Sequence, residues 1–313
     1  MEYFYSFNKY LKDLFGCRVQ RIPLNANFTC PNRLDGKPGC IYCYQGSSYK
    51  EKSLDLKEQL EKGILFAKKK YKAKKFLAYF QAYTNTFDKV ENLKKKYDVI
   101  KLFPDIVGLI IGTRPDCINE EILKLINSYT DDYLVWIEYG LQSPHFETLK
   151  WMNRGHYFSD FLKALFLTKL KFPKIKVCTH VILGFPGENK EKMLETAKIL
   201  SNLPIDGIKI HPLHILKGTP LAKIYEEKKF PILSLEEYAD IVTDFISYLP
   251  QNVVIQRVTG EAPEDLLIAP KWCSFKEKMK VINTINDFFK KKNLYQGKNY
   301  SGTKHLFDNI KIS

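Results

Sequence analysis

Short apolar segments alternate with helix-patterned segments along most of this chain, and this alternation restricts the fold more than any other feature. Six of the apolar segments predict β-strands, at residues 18–24, 76–80, 106–111, 133–139, 175–183 and 207–213. Nearly continuous apolar strands separated by helices are typical of parallel strands covered on both faces. The pattern predicts an α/β fold, either a (β/α) barrel or an open doubly wound sheet, with functional groups at the carboxyl ends of the strands.

The two ends of the chain add to this repeating part. A helix is predicted after Ser6 and is stopped by Gly16, and a last helix is predicted at residues 275–291. We expect a core domain of residues 14–255 and a C-terminal extension of residues 256–313 packed on it. The fold we expect is a partial (β/α)6 barrel closed by the N-terminal helix and this extension.

The composition is that of a soluble globular protein. The chain has 313 residues, of which 45% are hydrophobic and 27% charged. No apolar run is long enough to cross a membrane, and the first residues lack the pattern of a secretory signal. Seven cysteines, an odd number, argue against a secreted disulfide framework and favour the reducing cytoplasm.

Three cysteines follow the first predicted strand with the spacing C-x9-C-x2-C: Cys30, Cys40 and Cys43. Four thiolates would close a metal site, whereas three leave one coordination position open, as on an iron–sulfur cluster with one free iron. The alternative is a four-cysteine zinc site that also uses Cys17. The scattered Cys117, Cys178 and Cys273 are interpreted as small buried apolar residues.

With these cysteines, the sequence resembles the radical S-adenosylmethionine (radical SAM) superfamily. Its wide first cysteine gap resembles the branch that includes the Elongator catalytic subunit, and within that branch the YhcC/YtqA family. The stretches that carry the resemblance are residues 28–33, 81–86, 111–116, 138–143 and 211–214. The resemblance implies a radical SAM barrel.

It also implies a [4Fe-4S] cluster on Cys30, Cys40 and Cys43, whose free iron chelates the amine and carboxylate of SAM. One electron, from a donor such as flavodoxin or ferredoxin, then releases a 5′-deoxyadenosyl radical that takes hydrogen from the substrate. In the family an aromatic residue near the adenine occupies the position of Tyr42; plain packing of the loop is the alternative for this residue.

Other candidate SAM contacts follow the later strands. The Gly-Gly-Glu of many superfamily members is absent after strand two, where Gln81 stands instead. Glu138 is interpreted either as a SAM contact or as half of an ion pair with Arg114, because a carboxylate in an apolar strand needs a partner. Gln142 is a similar candidate, and Gly184 begins a strand-to-helix turn that resembles the glycine-containing SAM motif.

Histidines on two consecutive strands are candidates for substrate or SAM contact. His180 lies in strand five and His211 at the end of strand six, and each is alternatively a satisfied core histidine. His211 and His214 do not make a metal pair without a third ligand.

An excess of basic residues gives a formal net charge of +14, which favours a polyanionic partner or simply keeps the protein soluble. Lysines concentrate at residues 68–75, 94–96 and 290–292. Relatives in the resembled branch act on tRNA, so tRNA is the expected partner. The resemblance implies conversion of a carboxymethylaminomethyl group on the wobble uridine to aminomethyl; acetyl-CoA is not expected. The alternatives are a radical SAM enzyme acting on a small molecule and a non-catalytic zinc protein that binds RNA.

Overall fold

The computed structural model describes residues 2–44 and 55–302. Helices and strands alternate from the first helix to the sixth strand, except that two helices separate the fourth strand from the fifth. In chain order they are α1 (Phe7–Phe15), β1 (Val19–Leu24), α2 (Leu56–Tyr71), β2 (Lys75–Phe80), α3 (Val90–Tyr97), β3 (Ile106–Thr113), α4 (Glu120–Asn127), β4 (Leu134–Gln142), α5 (Phe146–Trp151), α6 (Phe158–Lys171), β5 (Lys176–Leu183), α7 (Lys190–Ser201) and β6 (Gly207–Pro212). All six predicted strands are therefore present.

The chain continues with shorter strands and three more helices. These are β7 (Ile215–Leu216), α8 (Pro220–Lys228), α9 (Leu235–Ser247), β8 (Val254–Arg257), β9 (Leu267–Ala269) and α10 (Lys278–Lys292). The main sheet has seven strands in the order β1-β2-β3-β4-β5-β6-β8, so β8 adds a seventh strand to the six predicted. Among the described residues no helix is both long and apolar enough to span a membrane.

Contacts divide the chain into two compact units. The first unit is residues 8–180, and the second combines the N-terminal segment up to Phe7 with the chain from Val181 onward. The division at residue 255 expected from the sequence stays a prediction.

In the first unit, β1 to β4 pair in parallel in chain order. The side chains of β2, β3 and β4 are almost entirely buried, which explains why these three segments are apolar throughout, whereas β1 is half-buried and carries Gln20 and Arg21. Gly108 in β3 has no room for a side chain, because a Cβ there would lie 2.5 Å from Leu77 Cδ2 and 2.7 Å from the Leu134 carbonyl oxygen. The strands therefore pack closely at this point.

In the second unit, the N-terminal segment adds to the edge of the sheet. Ser6 forms a parallel bridge with Ile255 of β8, and the Tyr5 backbone N–H donates to Gln296 Oε1 at 2.8 Å. Tyr3 stacks on Phe289 of α10, with ring centroids 5.2 Å apart. The first residues of the chain are thus held by its last helix.

Helices α8 and α9 are each preceded by an N-cap residue of a type that can be recognised in the sequence. Thr219 Oγ1 accepts from the Ala222 N–H ahead of α8. Ser234 and Glu237 form a reciprocal capping box at the start of α9. These capping residues explain the start of α8 and α9, two helices that the pattern of apolar strands does not predict.

Candidate functional site

The cysteine loop follows the carboxyl end of β1. Its start is fixed by Gln59 of α2, whose side chain accepts from the Asn25 N–H at 2.8 Å and donates to the Asn25 carbonyl at 2.9 Å. At its end the Cys43 N–H donates to the Cys40 carbonyl at 3.0 Å. Cys40 is buried, whereas Cys30 and Cys43 are half-buried. The loop therefore presents its cysteines at the edge of the sheet where parallel α/β proteins bind ligands.

The three cysteines of the loop lie near one another. The pKa of Cys43 is raised, first by burial and then by the nearby Cys40 and Cys30, against a hydrogen bond from Arg33. Among the described residues, however, the three sulfurs do not all come within 4.8 Å of one another. Zinc holds sulfur at ~2.3 Å, so two sulfurs on one zinc ion are at most ~4.6 Å apart. The separation is therefore too wide for one zinc ion held by all three sulfurs.

A buried arginine contacts the most buried of these thiols. Arg154 Nη1 donates to Cys40 Sγ at 3.3 Å, and its Nη2 donates to the Gly140 carbonyl. Burial raises the pKa of Cys40, but the Arg154 charge and hydrogen bond, helped by Arg114, bring that pKa below its ordinary value. A cation beside a thiol favours the thiolate, the form that binds metal.

Residues 152–155, which we call the clamp segment, bind the loop by backbone contacts. The Ile41 N–H donates to the Met152 carbonyl at 3.0 Å, and Asn153 Nδ2 donates to the Gly39 carbonyl at 2.8 Å. In the opposite direction, Asn32 Nδ2 donates to the Asn153 carbonyl at 2.7 Å. The clamp segment lies more than a hundred residues after the loop, and no local pattern in the sequence predicted this role for it.

A second polar cluster lies on the strands of the first unit. Glu138 in β4 has a fully buried side chain; its Oε2 accepts from Tyr79 Oη at 2.7 Å and lies 2.9 Å from His180 Nε2. Tyr79 on β2 reaches across β3 at Gly112, the register partner of Glu138. A Cβ at Gly112 would lie 3.9 Å from Tyr79 Cε2, so the tyrosine ring passes close to this position.

The ion pair expected between Glu138 and Arg114 is wrong. Arg114 instead forms two hydrogen bonds with Asp116, from Nε at 2.9 Å and from Nη2 at 2.8 Å. An acidic residue two positions away competes better for a guanidinium than one on the next strand. The partners of Glu138 are His180 and Tyr79, and the tyrosine was not among the candidates.

The remaining candidates of the first unit lie at strand ends or in the loop. Burial raises the pKa of Tyr42 well above its ordinary value, with Arg154 acting against this and Cys40 adding to it. Gln81 follows β2, and its N–H donates to the Leu24 carbonyl at 3.3 Å. Gln142 ends β4 with a φ of +77°, a left-handed conformation that is strained for a residue other than glycine.

Gly184 and His211 belong to the second unit. Gly184 has a φ of +94°, and a Cβ there would lie 3.0 Å from Leu233 Cδ1, so the turn requires glycine. His211 is half-buried near the end of β6. His214 Nδ1 lies 3.3 Å from the Pro212 carbonyl oxygen, and burial lowers the pKa of this histidine.

The other cysteines take no part in the loop. Cys17 precedes β1 and Cys30 follows it, and a strand of six residues is ~20 Å long. The zinc site that joined Cys17 to the three loop cysteines is therefore wrong. Cys178 and Cys273 are fully buried, as expected, and Cys178 lies beside Glu138 and His180. Cys117 is half-buried.

Residues 68–75 lie at the opposite edge of the sheet from the cysteine loop, whereas Lys96 of the second cluster lies 3.8 Å from the ring centroid of Phe28, just before Cys30. Residues 68–75 end α2 and begin β2, and residues 94–96 lie in the last turn of α3. Several of these lysines are engaged: Lys68 with Asp105 at 2.7 Å, and Lys96 with Asp88 at 3.0 Å. In the second unit, Lys292 pairs with Asp240 at 2.7 Å.

Comparison with known proteins decides the family. The family model described as the Radical SAM superfamily matches residues 27–200, and the Radical_SAM C-terminal domain model matches residues 205–291. The chain belongs to the radical SAM superfamily. It is 36% identical to YtqA of Bacillus subtilis, over 94% of this chain and 92% of that protein. It is 37% identical to YhcC of Escherichia coli K12, over 83% of this chain and 84% of that protein.

A partial match connects this radical SAM chain to the Elongator-like proteins. It is 31% identical to the tRNA uridine(34) acetyltransferase of Methanocaldococcus infernus, over 52% of this chain and 30% of that protein. Among solved structures it resembles Elp3 of the same organism, with a TM-score of 0.65 at 20% identity, over 92% of this chain and 67% of that one. This likeness confirms the fold class, a partial (β/α) barrel, which here has seven strands rather than six.

The superfamily works with a [4Fe-4S] cluster and SAM, and these are the cofactors of this chain, as predicted. The loop fits the cluster because it offers three neighbouring thiols, and the cation beside Cys40 favours the ionised form of that thiol. That Cys30, Cys40 and Cys43 are the ligands stays a prediction, as do the SAM contacts.

Proposed function

We propose that this radical SAM enzyme modifies tRNA, converting the carboxymethylaminomethyl group of the wobble uridine to aminomethyl. The observation that carries the enzymatic part is the cysteine loop, where Arg154 donates to Cys40 and the three cysteines are neighbours. Support for the RNA comes from the relative named a tRNA uridine(34) acetyltransferase and from the net charge of +14.

In this proposal Cys30, Cys40 and Cys43 hold three irons, and the clamp segment keeps the loop in place. When bound, the cluster and SAM would supply the 5′-deoxyadenosyl radical that takes hydrogen from the carboxymethyl carbon next to nitrogen. Transfer of one electron from the substrate radical back to the electron carrier, followed by hydrolysis of the resulting imine, would leave the aminomethyl group and release the two-carbon unit as glyoxylate. The chain itself binds and orients: Gln81, Glu138, Gln142 and Gly184 contact SAM, and Tyr42 packs beside the cluster. His180 and His211 are the candidates for contact with the reacting group.

The RNA partner contacts the protein at more than one place. The lysines of residues 68–75 supply phosphate contacts without base readout. Since they lie at the edge of the sheet opposite the cysteine loop, they hold a part of the RNA remote from the reacting nucleotide. A flavodoxin or ferredoxin delivers the electron, and the cytoplasm is the expected compartment.

Acetyl transfer is not part of the proposal. The relative named for acetyl transfer is matched over only 30% of its length, so its name carries the tRNA class but not the transferred group. We propose no contact with acetyl-CoA.

Anaerobic reconstitution followed by a single-turnover assay tests this function. We expect about four irons per chain, an absorbance shoulder bleached by dithionite, and aminomethyluridine from an anticodon stem–loop that carries carboxymethylaminomethyluridine. SAM cleavage that no tRNA accelerates would favour a small-molecule substrate. One zinc per chain without colour would contradict the enzymatic proposal.

A further inference from the structure

The last strand of the main sheet ends in two polar residues, Gln256 and Arg257, whose side chains form no hydrogen bond among the described residues. Gln256 of β8 is 5% exposed, and neither its Nε2 nor its Oε1 has a hydrogen-bond partner. Buried amides are nearly always hydrogen-bonded, so one that lacks both partners needs a specific explanation.

Arg257, the next residue, is half-buried and makes no hydrogen bond or ion pair within the described part of the chain. Its positive charge nevertheless acts on His214 and Glu261. It lowers the pKa of each, although burial has the largest influence on both. Glu261 is already engaged, by Lys278 at 2.9 Å and by Thr259 at 3.1 Å. The Arg257 guanidinium thus lies near the Glu261 carboxylate, which already binds Lys278 and Thr259.

The register of the strands brings these groups opposite one residue of β6. Gly207 pairs with Val254 and Ile208 with Ile255, but Lys209 then pairs with Arg257, so β8 carries one extra residue at this point. At such a bulge two consecutive residues face a single residue of the neighbouring strand, so Gln256 and Arg257 both lie opposite Lys209. Bulges of this kind turn side chains next to functional sites.

Lys209 adds another cation at this point. It is 1% exposed in the middle of β6. Like charges at directly opposed positions of adjacent strands repel each other. Lys209 therefore supplies no counter-charge for Arg257.

We propose that Gln256 and Arg257 form a subsite for an anionic oxygen group of the substrate. Arg257 would grip two oxygens with its planar fork and Gln256 would donate its amide N–H, a geometry that suits carboxylate and phosphate alike. The inference rests on the proposed function for the identity of that group. The carboxylate of the carboxymethylaminomethyl side chain is one source of it and an RNA phosphate is the other.

The anion is tested first without RNA, on the reconstituted holoenzyme with SAM. Acetate and inorganic phosphate are titrated while the melting temperature is followed, for the wild type, Arg257→Gln and Gln256→Leu. Lys276→Gln is the matched control, since it removes an exposed lysine that pairs with Glu264 in the same unit. We expect at least one anion to stabilise the wild type and the control but not Arg257→Gln.

Gln256→Leu gives a second, opposite signature. Without the unpartnered amide the ligand-free protein is expected to melt at a higher temperature, because replacing an unsatisfied polar group by an apolar one of similar size is favourable. The same variant should lose most of the anion effect. A variant that is stabilised and still responds fully to anions removes Gln256 from the subsite.

Binding of three anticodon stem–loops then separates the two sources. They carry carboxymethylaminomethyluridine, its neutral carboxamide analogue or plain uridine. For a carboxylate source, the wild type prefers the first RNA by about tenfold or more, and Arg257→Gln abolishes this preference. For a phosphate source, Arg257→Gln weakens all three equally.

Anion stabilisation that is equal in the wild type and Arg257→Gln, or absent from the wild type, overturns the subsite. If the wild type binds none of the RNAs while anion binding still depends on Arg257, the subsite stands and the tRNA function fails.

Discussion

At Cys40, burial and charge act on the same thiol in opposite directions. Burial raises its pKa, and the guanidinium of Arg154 at 3.3 Å overcomes that effect. The spacing of the three cysteines predicted the loop, because ligand spacing is local in sequence. Arg154 and Tyr79 were not predicted, since each meets its partner only through the tertiary fold, with 114 and 59 residues between them in sequence.

Replacing Cys40 by alanine should abolish SAM cleavage and lower the iron content below four per chain, because two thiolates cannot retain the cluster. Cys17→Ser is the matched control, since Cys17 lies before β1 and should leave iron and cleavage unchanged. Iron analysis and 5′-deoxyadenosine release measure both variants. Cleavage retained by Cys40→Ala would refute the assignment of this ligand.

Glu138→Gln distinguishes a SAM contact from a structural role. The variant keeps an oxygen that accepts from Tyr79 and removes the negative charge. If the carboxylate binds SAM, the Kd for SAM should rise about tenfold while iron content stays constant. Tyr79→Phe is the control, because it removes one hydrogen bond but leaves the carboxylate. A lower melting temperature with an unchanged Kd would instead make Glu138 a structural residue.

Among the elements, the first six strands of the main sheet were predictable and β8 was not. The six segments are long, apolar and separated by helices, whereas β8 has only four residues and ends in Gln256 and Arg257. Gln256 and Arg257 are the last two residues of this strand, whereas the sequence alone predicts that the C-terminal extension begins at Gln256. A short strand with polar residues cannot be predicted once the alternation of apolar strands and helices has ended.

If the clamp segment holds the cysteine loop, replacing a glycine within it should change the rate of iron release more than replacing a glycine outside it. Gly155 and Gly36 have φ values of +73° and +74°, so alanine is strained by ~1–2 kcal/mol at both. Only at Gly155 would the new Cβ collide, 2.7 Å from Asn32 Oδ1; at Gly36 nothing lies within 4 Å. Gly155→Ala should release iron to a chelator several-fold faster than Gly36→Ala. Equal release rates would mean that the clamp segment does not hold the loop.

The lysine cluster at residues 68–75 makes a different prediction, about RNA. Replacing its exposed lysines Lys69, Lys72 and Lys74 by glutamine should weaken tRNA binding and flatten its dependence on salt. SAM cleavage without RNA should not change, because these residues lie at the edge opposite the cysteine loop. A salt slope identical to that of the wild type would exclude this cluster from the RNA surface.

For the whole molecule, stability should fall as the solution becomes moderately acidic. Burial, together with Arg154 and Arg114, lowers the pKa of His156 to about 2. The unfolded chain takes up this proton below pH ~6.5, whereas the folded chain does not, so stability present at pH 7 is lost as pH falls through that range. At pH 5 the loss is about 2 kcal/mol.

Urea unfolding at pH 7 and pH 5 checks this, with His156→Gln as the comparison. The variant should lose about 2 kcal/mol less stability between the two pH values than the wild type does. An equal loss in both proteins would show that other groups dominate the acid sensitivity.

The stacking of Tyr3 on Phe289 has a consequence for the order in which the protein matures. The ribosome adds Phe289 and Gln296 almost three hundred residues after Tyr3 and Tyr5, so the N-terminal segment exposes apolar surface until these partners have been synthesised. Meanwhile residues 8–180 already have their internal contacts available. A premature stop before α10 would therefore yield a chain with its leading aromatics uncovered, a species suited to recognition by chaperones and proteases.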